Sequence, residues 1–246
     1  MIVSETGGFR TLQFGSEWVQ GRMQISRPAR LVLEYTRGMC AALLLADPPR
    51  RLWIGGLGAG ALPRFAVAHW SDQLDWLTVC EIRPDVIHLA QGLFSVPAQT
   101  SRGVAVRIDQ ADAARSIADL PTASVDWLWI DCYDHRGEVG RCESRAFFLH
   151  ARRVLRSGGV LATNLWSNVP RYPRTLQRLG AAFEGRVLLL PSRTSENVVA
   201  LGTTEPLPDL SDDAARQRAQ LLRERYDLPF EDWRRRLRPL AMAGAD

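Results

Sequence analysis

Short apolar runs alternate with longer stretches whose apolar positions recur at helical spacing, and the rhythm is sustained from Arg51 to Trp166. RLWIGG, DWLTVCEI, VAVRID, SVDWLWID and GGVLATNLW read as strands, with helices over Leu62 to Trp70, Pro84 to Phe94, Ala111 to Leu120 and Glu143 to Arg156 between them. Strands this uniformly apolar are buried on both faces, as in a parallel sheet covered by helices on either side. After a further helix near Tyr172 to Phe183, GRVLLLP and NVVALGTT lie close enough in sequence to pair as an antiparallel hairpin at the sheet edge. The pattern predicts an α/β fold with a Rossmann-like, seven-stranded, mostly parallel sheet.

Residues 1–33 read as a small N-terminal β element, with a strand from Arg10 to Phe14, a turn at Gly15-Ser16 and a strand from Trp18 to Ile25. A helix follows from Glu34 to Ala46, where Tyr35, Met39, Ala42, Leu43 and Ala46 share a face, and Asp47-Pro48-Pro49 ends it. Residues 34–206 form the nucleoside-binding unit, and 207–246 an Arg-rich helical extension with the run Arg234-Arg235-Arg236. That run reads as a solvated helix end, with an anionic docking site as the alternative.

Composition narrows the chemistry. All 31 basic residues among 246 are Arg, so Schiff-base, pyridoxal-phosphate and P-loop lysine chemistry is excluded. The net charge of +4 is mild and the Arg residues are scattered without aromatic interleaving, which gives no support to a nucleic-acid partner. Cys40, Cys80, Cys132 and Cys142 contain no C-x-x-C pair, and the four His have no ligand spacing, so reduced thiols and no metal are expected. With no apolar leader and no long apolar stretch, a soluble cytoplasmic protein with no membrane association is expected.

Candidate chemistry gathers at the strand ends. Leu52 to Ile54 runs into Gly55-Gly56-Leu57-Gly58-Ala59-Gly60, a turn whose backbone N–H groups can approach a ligand closely. Glu81 ends the second strand, where an acid can accept both ribose hydroxyls, and Asp109-Gln110 ends the third, where an acceptor can meet an adenine amino group. Asp112 is placed to cap the next helix. The fourth strand ends in Asp131-Cys132-Tyr133-Asp134, whose two carboxylates can hold a cationic amine and take its proton. The glycine turn, Glu81 and Asp109 by themselves suit adenosylmethionine-like and nicotinamide cofactors alike, and the two carboxylates of the fourth strand are what separates them.

Taken in order, the motifs resemble those of the polyamine aminopropyltransferases, the spermidine synthase family. WVQGRMQ is similar to LxLDGxxQ, EYTRGM to YxEM, WIGGLGAGAL to IGGGDGGxL, CEIRPDVI to CEIDxDVI, DCYD to DSSD and GGVLATN to DGVLxxQ, spanning Glu17 to Thr204. The resemblance implies a class I methyltransferase-like sheet, a homodimer through the N-terminal strands, and decarboxylated S-adenosylmethionine as co-substrate. It further implies that Gly55, Gly56, Gly58 and Glu81 hold the nucleoside, with Asp109 or Gln110 beside the adenine. Asp131 becomes the base that deprotonates the attacking amine, and Asp134, Tyr35, Gln24 and Tyr133 place a small-molecule diamine such as putrescine.

The sequence departs from the family pattern in three places. Gly58 stands where IGGGDGGxL carries an acid, His135 replaces the proline after DSSD in a loop bearing Arg136, Arg141 and Arg145, and Pro191-Ser192-Arg193-Thr194 replaces PTYP. Gly58 is the feature that an S-adenosylmethionine-dependent methyltransferase would use, since the intact cofactor's carboxylate disfavours an acid there. A catalytically inactive family member is the third reading.

Overall fold

The chain opens with three antiparallel strands, β1 (Ile2–Thr6), β2 (Phe9–Gln13) and β3 (Val19–Gln24), which form a sheet of their own in the order β1-β2-β3. In the computed structural model, residues 1–13, 19–133 and 140–241 are described. The turn expected at Gly15-Ser16 and the strand ends at Phe14 and Trp18 lie outside the described residues. Strand β1 was not foreseen: its IVSET stretch is almost wholly exposed, so no buried face marks it in the sequence. The α1 helix (Glu34–Met39) continues into a tighter 3-10 segment, Cys40–Leu44, and the two together occupy the predicted helix.

The main sheet is built from β4 (Arg51–Gly55), α2 (Ala61–Trp70), β5 (Trp76–Glu81), α3 (Pro84–Leu93), β6 (Val106–Gln110), α4 (Ala113–Asp119), β7 (Val125–Ile130), α5 (Arg145–Val154) and β8 (Leu155–Trp166). It is completed by α6 (Tyr172–Ala182), β9 (Val187–Pro191) and β10 (Asn197–Thr203). Helices α7 (Asp213–Tyr226) and α8 (Phe230–Arg236) follow, and a two-residue β11 (Arg238–Pro239) pairs with β9. The strand order is β11-β9-β10-β8-β7-β4-β5-β6. The predicted seven strands are all present, and β11 adds a short eighth at the edge. Strands β8, β7, β4, β5 and β6 pair in parallel, whereas β10 runs antiparallel to β8 and β9 to β10.

Alternate residues of the buried strands enter different cores. Leu52, Ile54, Trp127 and Trp129 pack on one face of the sheet, and Trp53, Leu128 and Ile130 on the other. This two-sided burial is the physical content of the continuous apolar runs. Trp70 packs edge-on against Trp127 at 5.4 Å and donates its indole N–H to the Tyr226 hydroxyl at 3.1 Å, tying α2 and α7 to the sheet. The Arg run in α8 is mostly bonded inward: Arg234 donates to the Leu210 carbonyl, and Arg236 to the Pro191 carbonyl and to Asp232. Only Arg235 of the three is exposed.

The order in which successive strands are added reverses between β4 and β7, with β5 and β6 laid down on one side of that junction and β8 on the other, all parallel. Ligand crevices of open α/β sheets lie at such points. Pairing sets Gly55 opposite Cys80 and Ile130, and Ile130 opposite Thr163. The residues that follow each of these positions, Gly56, Glu81, Asp131 and Asn164, are therefore neighbours across four strands.

Candidate active site

The glycine turn after β4 is shaped by close approach. A Cβ at Gly56, whose φ is +90°, would lie 2.1 Å from the Asp131 carbonyl oxygen, so no other residue fits without displacing the tip of β7. The turn is also clamped from behind by Arg64, a buried residue of α2. It donates to the Pro28 carbonyl at 2.7 Å, to the Phe94 carbonyl at 2.6 Å and to the Ala59 carbonyl. Burial lowers its guanidinium to about 10. Nothing in the sequence distinguished this Arg from the others.

Glu81 is 8% exposed and accepts the Leu57 N–H at 3.0 Å through Oε2 and the Arg83 N–H at 2.9 Å through Oε1. It thereby links the tips of β4 and β5. Glu81, Gly56, Gly58 and Asp131 line one cavity of about 320 Å³, together with Tyr35, Tyr133, Asn164, Trp166 and Asn197.

Asp131 is the centre of the polar network. The Tyr35 hydroxyl donates to its Oδ2 at 2.9 Å and the Asn164 amide to its Oδ1 at 3.0 Å. Burial raises the Asp131 carboxyl above the usual range, and the Glu81 charge adds to this; the two hydrogen bonds oppose it. A carboxylate of raised basicity is suited to removing a proton. Asn164 in turn accepts from the Asn197 amide at 2.9 Å, and Asn197 accepts from the Ser195 hydroxyl at 2.8 Å. Tyr133 donates to the Asn164 carbonyl at 3.1 Å and stacks on Trp166 with ring centroids 5.0 Å apart, forming an aromatic wall. Burial raises both tyrosine hydroxyls well above their ordinary value, so they act as donors.

Three thiols also line the cavity, Cys80, Cys132 and Cys142. Burial pushes Cys80 to about 11, and the contact with Cys142, with burial, pushes Cys132 well above the ordinary thiol range. Cys80 and Cys132 are neutral wall groups, and all three thiols are free. No cluster of His, Cys, Asp or Glu among the described residues is arranged to hold a metal.

Not every predicted site residue reaches the cavity. Asp109 is paired with Arg107 at 2.6 Å, Gln110 is exposed, and neither lines the cavity. The reason is the turn of the chain after β6: the backbone bends at Ala111, and Ala111, Asp112 and Ala113 form the wall. Asp112 caps α4 by accepting the Ala114 N–H at 2.8 Å, as predicted, and lines the cavity as well. Gln24 accepts from Arg30 at 3.3 Å and is not a lining residue; Val19 and Gln20 represent β3 instead. Asp134, His135 and Arg136 lie outside the described residues. Of the remaining arginines of that loop, Arg141 lines the cavity and Arg145 does not. The sequence pointed to Asp112 chiefly as a helix cap and did not single out Asn164, Asn197 or Gln20. Asn164 had a signal, the polar pair Thr163-Asn164 inside the apolar stretch of β8 and the last position of the GGVLATN motif, whereas Asn197 is brought in only by the pairing of β10 with β8.

No protein-family model matches the sequence. The polyamine aminopropyltransferase of Chromobacterium violaceum is 34% identical over 237 residues, covering 96% of this chain and 88% of that protein. The polyamine aminopropyltransferase of Neisseria meningitidis is also 34% identical, over 229 residues covering 93% of this chain and 85% of that protein. The chain belongs to the polyamine aminopropyltransferase family. As a member it is a transferase with a class I methyltransferase-like fold. The fold is shared with a probable spermidine synthase from Corynebacterium glutamicum (TM-score 0.70, 19% identity, 92% of this chain and 84% of that one). It is shared equally with human methyltransferase-like protein 13 in complex with SAH (TM-score 0.68, 21% identity, 80% and 94%). Within this family frame, the Ser192 to Thr194 segment that replaces PTYP is held by Glu34. The Glu34 carboxylate accepts from the Ser192 hydroxyl at 2.6 Å and from the Arg193 N–H at 2.8 Å.

Proposed function

We propose that this chain transfers the aminopropyl group of decarboxylated S-adenosylmethionine to a polyamine such as putrescine, with Asp131 as the general base. The observation that carries the reading is the carboxylate of Asp131, of raised basicity and aimed by Tyr35 and Asn164, in the same cavity as Glu81 and the glycine turn. The nucleoside ribose meets Glu81, and the adenine lies along Ile82 and the Ala111 to Ala113 wall, where Asp112 takes over the role expected of Asp109 or Gln110. Tyr35 and Tyr133, with Asp134, place the amine.

The reaction is a displacement at the carbon beside the sulfonium. The amine nitrogen forms a bond to that carbon, the carbon–sulfur bond breaks, methylthioadenosine leaves with the electron pair, and the ammonium proton passes to Asp131. The sulfonium supplies leaving-group activation, so the protein's share is alignment and proton removal.

The test is direct: incubate the protein with decarboxylated S-adenosylmethionine and putrescine and measure methylthioadenosine and spermidine together. Absence of both, with folded protein, sinks the reading. The second reading, methyl transfer from intact S-adenosylmethionine, is favoured by Gly58, which puts no acid beside the nucleoside tail; it predicts S-adenosylhomocysteine as product. We extend the proposal to a cytoplasmic homodimer joined through the N-terminal β element of residues 1–33, where Ile2 and Val19 are exposed, with 34–206 and 207–246 as the catalytic and helical parts. A monomeric mass in solution sinks the dimer.

A further inference from the structure

A line of hydrogen bonds leaves Asp131 and ends at a second carboxylate on the far side of the β9–β10 turn. From Asp131 it passes through Asn164 and Asn197 to Ser195, whose hydroxyl lies 3.0 Å from that of Ser192, and Ser192 donates to Glu34. Both ends are acceptor-only when ionised, and this fixes every bond between them. Asn164 must turn its amide nitrogen to Asp131, Asn197 must turn its own to Asn164, and the Ser195 hydrogen must go to Asn197. The Ser192 hydrogen is committed to Glu34. The two serine oxygens then face each other with no hydrogen between them, each taking only a long backbone N–H, from Thr194 to Ser192 at 3.3 Å and from Asn197 to Ser195 at 3.4 Å.

Adding a proton to Asp131 removes the conflict. The Asp131 O–H donates to the Asn164 oxygen, the Asn164 nitrogen to the Asn197 oxygen, the Asn197 nitrogen to Ser195, and Ser195 to Ser192. Each contact along the line then holds one hydrogen. No covalent bond beyond the O–H of Asp131 is made; each amide only exchanges its two ends.

We propose that Asn164 and Asn197 turn over as a pair when Asp131 takes up the substrate's proton, so that these asparagines and the Ser195, Ser192 and Glu34 turn are positioning residues for the base. The inference rests on Asp131 being that base. The relay favours the protonated carboxyl, the state that proton transfer creates. Ser195 is exposed and water can share its bonds, which keeps the effect modest. The other titratable groups facing Asp131 are Glu81 from β5, Tyr35 from α1, and Cys132 and Tyr133 on its own segment, with Arg83, Arg141 and Asp112 on the wider cavity wall. The tyrosines and the thiol stay neutral, and none of these groups lies on the path through Asn197.

The test is the side-chain amide spectrum of nitrogen-15 asparagine-labelled protein, titrated without nucleoside. The Asn164 and Asn197 amides should shift with one common midpoint. In Asp131→Asn, whose amide donates like the protonated acid, both should stay at the wild-type low-pH positions at every pH. Ser192→Ala removes the acceptor that Ser195 uses only in the protonated arrangement, whereas the Thr194 N–H and Glu34 contacts of Ser192 are common to both, so the midpoint should fall by about half to one pH unit, and Ser192→Thr, which keeps the hydroxyl, should restore it. The acid limb of kcat should move with the midpoint, whereas a merely structural role would lower kcat alike at all pH. Amides that do not titrate, that titrate unchanged in Asp131→Asn, or whose midpoint ignores Ser192→Ala overturn the relay. Because the titration needs no turnover, titrating amides without aminopropyl transfer would remove the proposed function and leave the relay standing.

Discussion

Replacing Glu34 by Gln probes how the loop beside the active site is held. The two Glu34 oxygens accept from Ser192 Oγ at 2.6 Å, Arg193 N at 2.8 Å, Thr194 N at 3.1 Å and the Thr194 hydroxyl. Partial burial works against the charge, but these donors outweigh it and bring the carboxyl down from 4.5 to about 2. At full value such a shift corresponds to roughly 3.4 kcal/mol, and because the group is only partly buried and solvent screens it we discount it to about 1–2 kcal/mol. Gln keeps one acceptor oxygen and turns an NH₂ toward donors, so the variant should lose that amount at neutral pH, or about 3–6 °C in Tm. The sign of the pH dependence follows from the lowered folded value. The contribution is complete above the unfolded pKa and is lost as pH falls from about 4.5 toward about 2. Urea unfolding of both proteins at pH about 7, 5 and 3.5 measures it. Equal stability at neutral pH, or a difference that stays constant into the acid range, would refute the reasoning.

Asp131→Asn should bind methylthioadenosine within about threefold of wild type while transfer falls roughly a thousandfold. Its Tm at neutral pH should be unchanged or higher, because a carboxyl whose folded pKa is raised loses stability as pH climbs through that value; a lower Tm would contradict the burial argument. Gly56→Ala, with φ of +90° and a Cβ 2.1 Å from the Asp131 carbonyl, should cost about 2–4 kcal/mol in urea unfolding and lose nucleoside binding. Gly58→Asp should fold at a cost of about 1 kcal/mol, since φ of +49° strains an L residue, Asp less than most, and the new Cβ meets the Gln20 carbonyl at 3.4 Å. By calorimetry it should bind decarboxylated S-adenosylmethionine about tenfold more tightly relative to the intact form, and an unchanged ratio would place the tail elsewhere.

The alternation of apolar runs and helical spacing by itself determined the sheet, its seven strands and the terminal hairpin, because a strand buried on both faces must be apolar throughout. The same reasoning put Glu81 and Asp131 at strand tips, where the local order of residues decides position. Exposed Ile2 to Thr6 left no such mark, and the two residues of β11 are too few to show a period. The tertiary structure alone decided which tips meet. Asp109 stayed beside Arg107 on the same side of β6, and the bend after that strand set Asp112 on the wall, a difference of three residues that depends on where the strand leaves the sheet. Asn197 reached Asp131 through Asn164 only because β10 runs antiparallel beside β8. Glu34 found Ser192 across 158 residues of sequence, and no local pattern encodes a contact of that span. Composition ruled out lysine chemistry from the outset; the geometry of two carboxylates joined by asparagines and serines came from the packing of the chain.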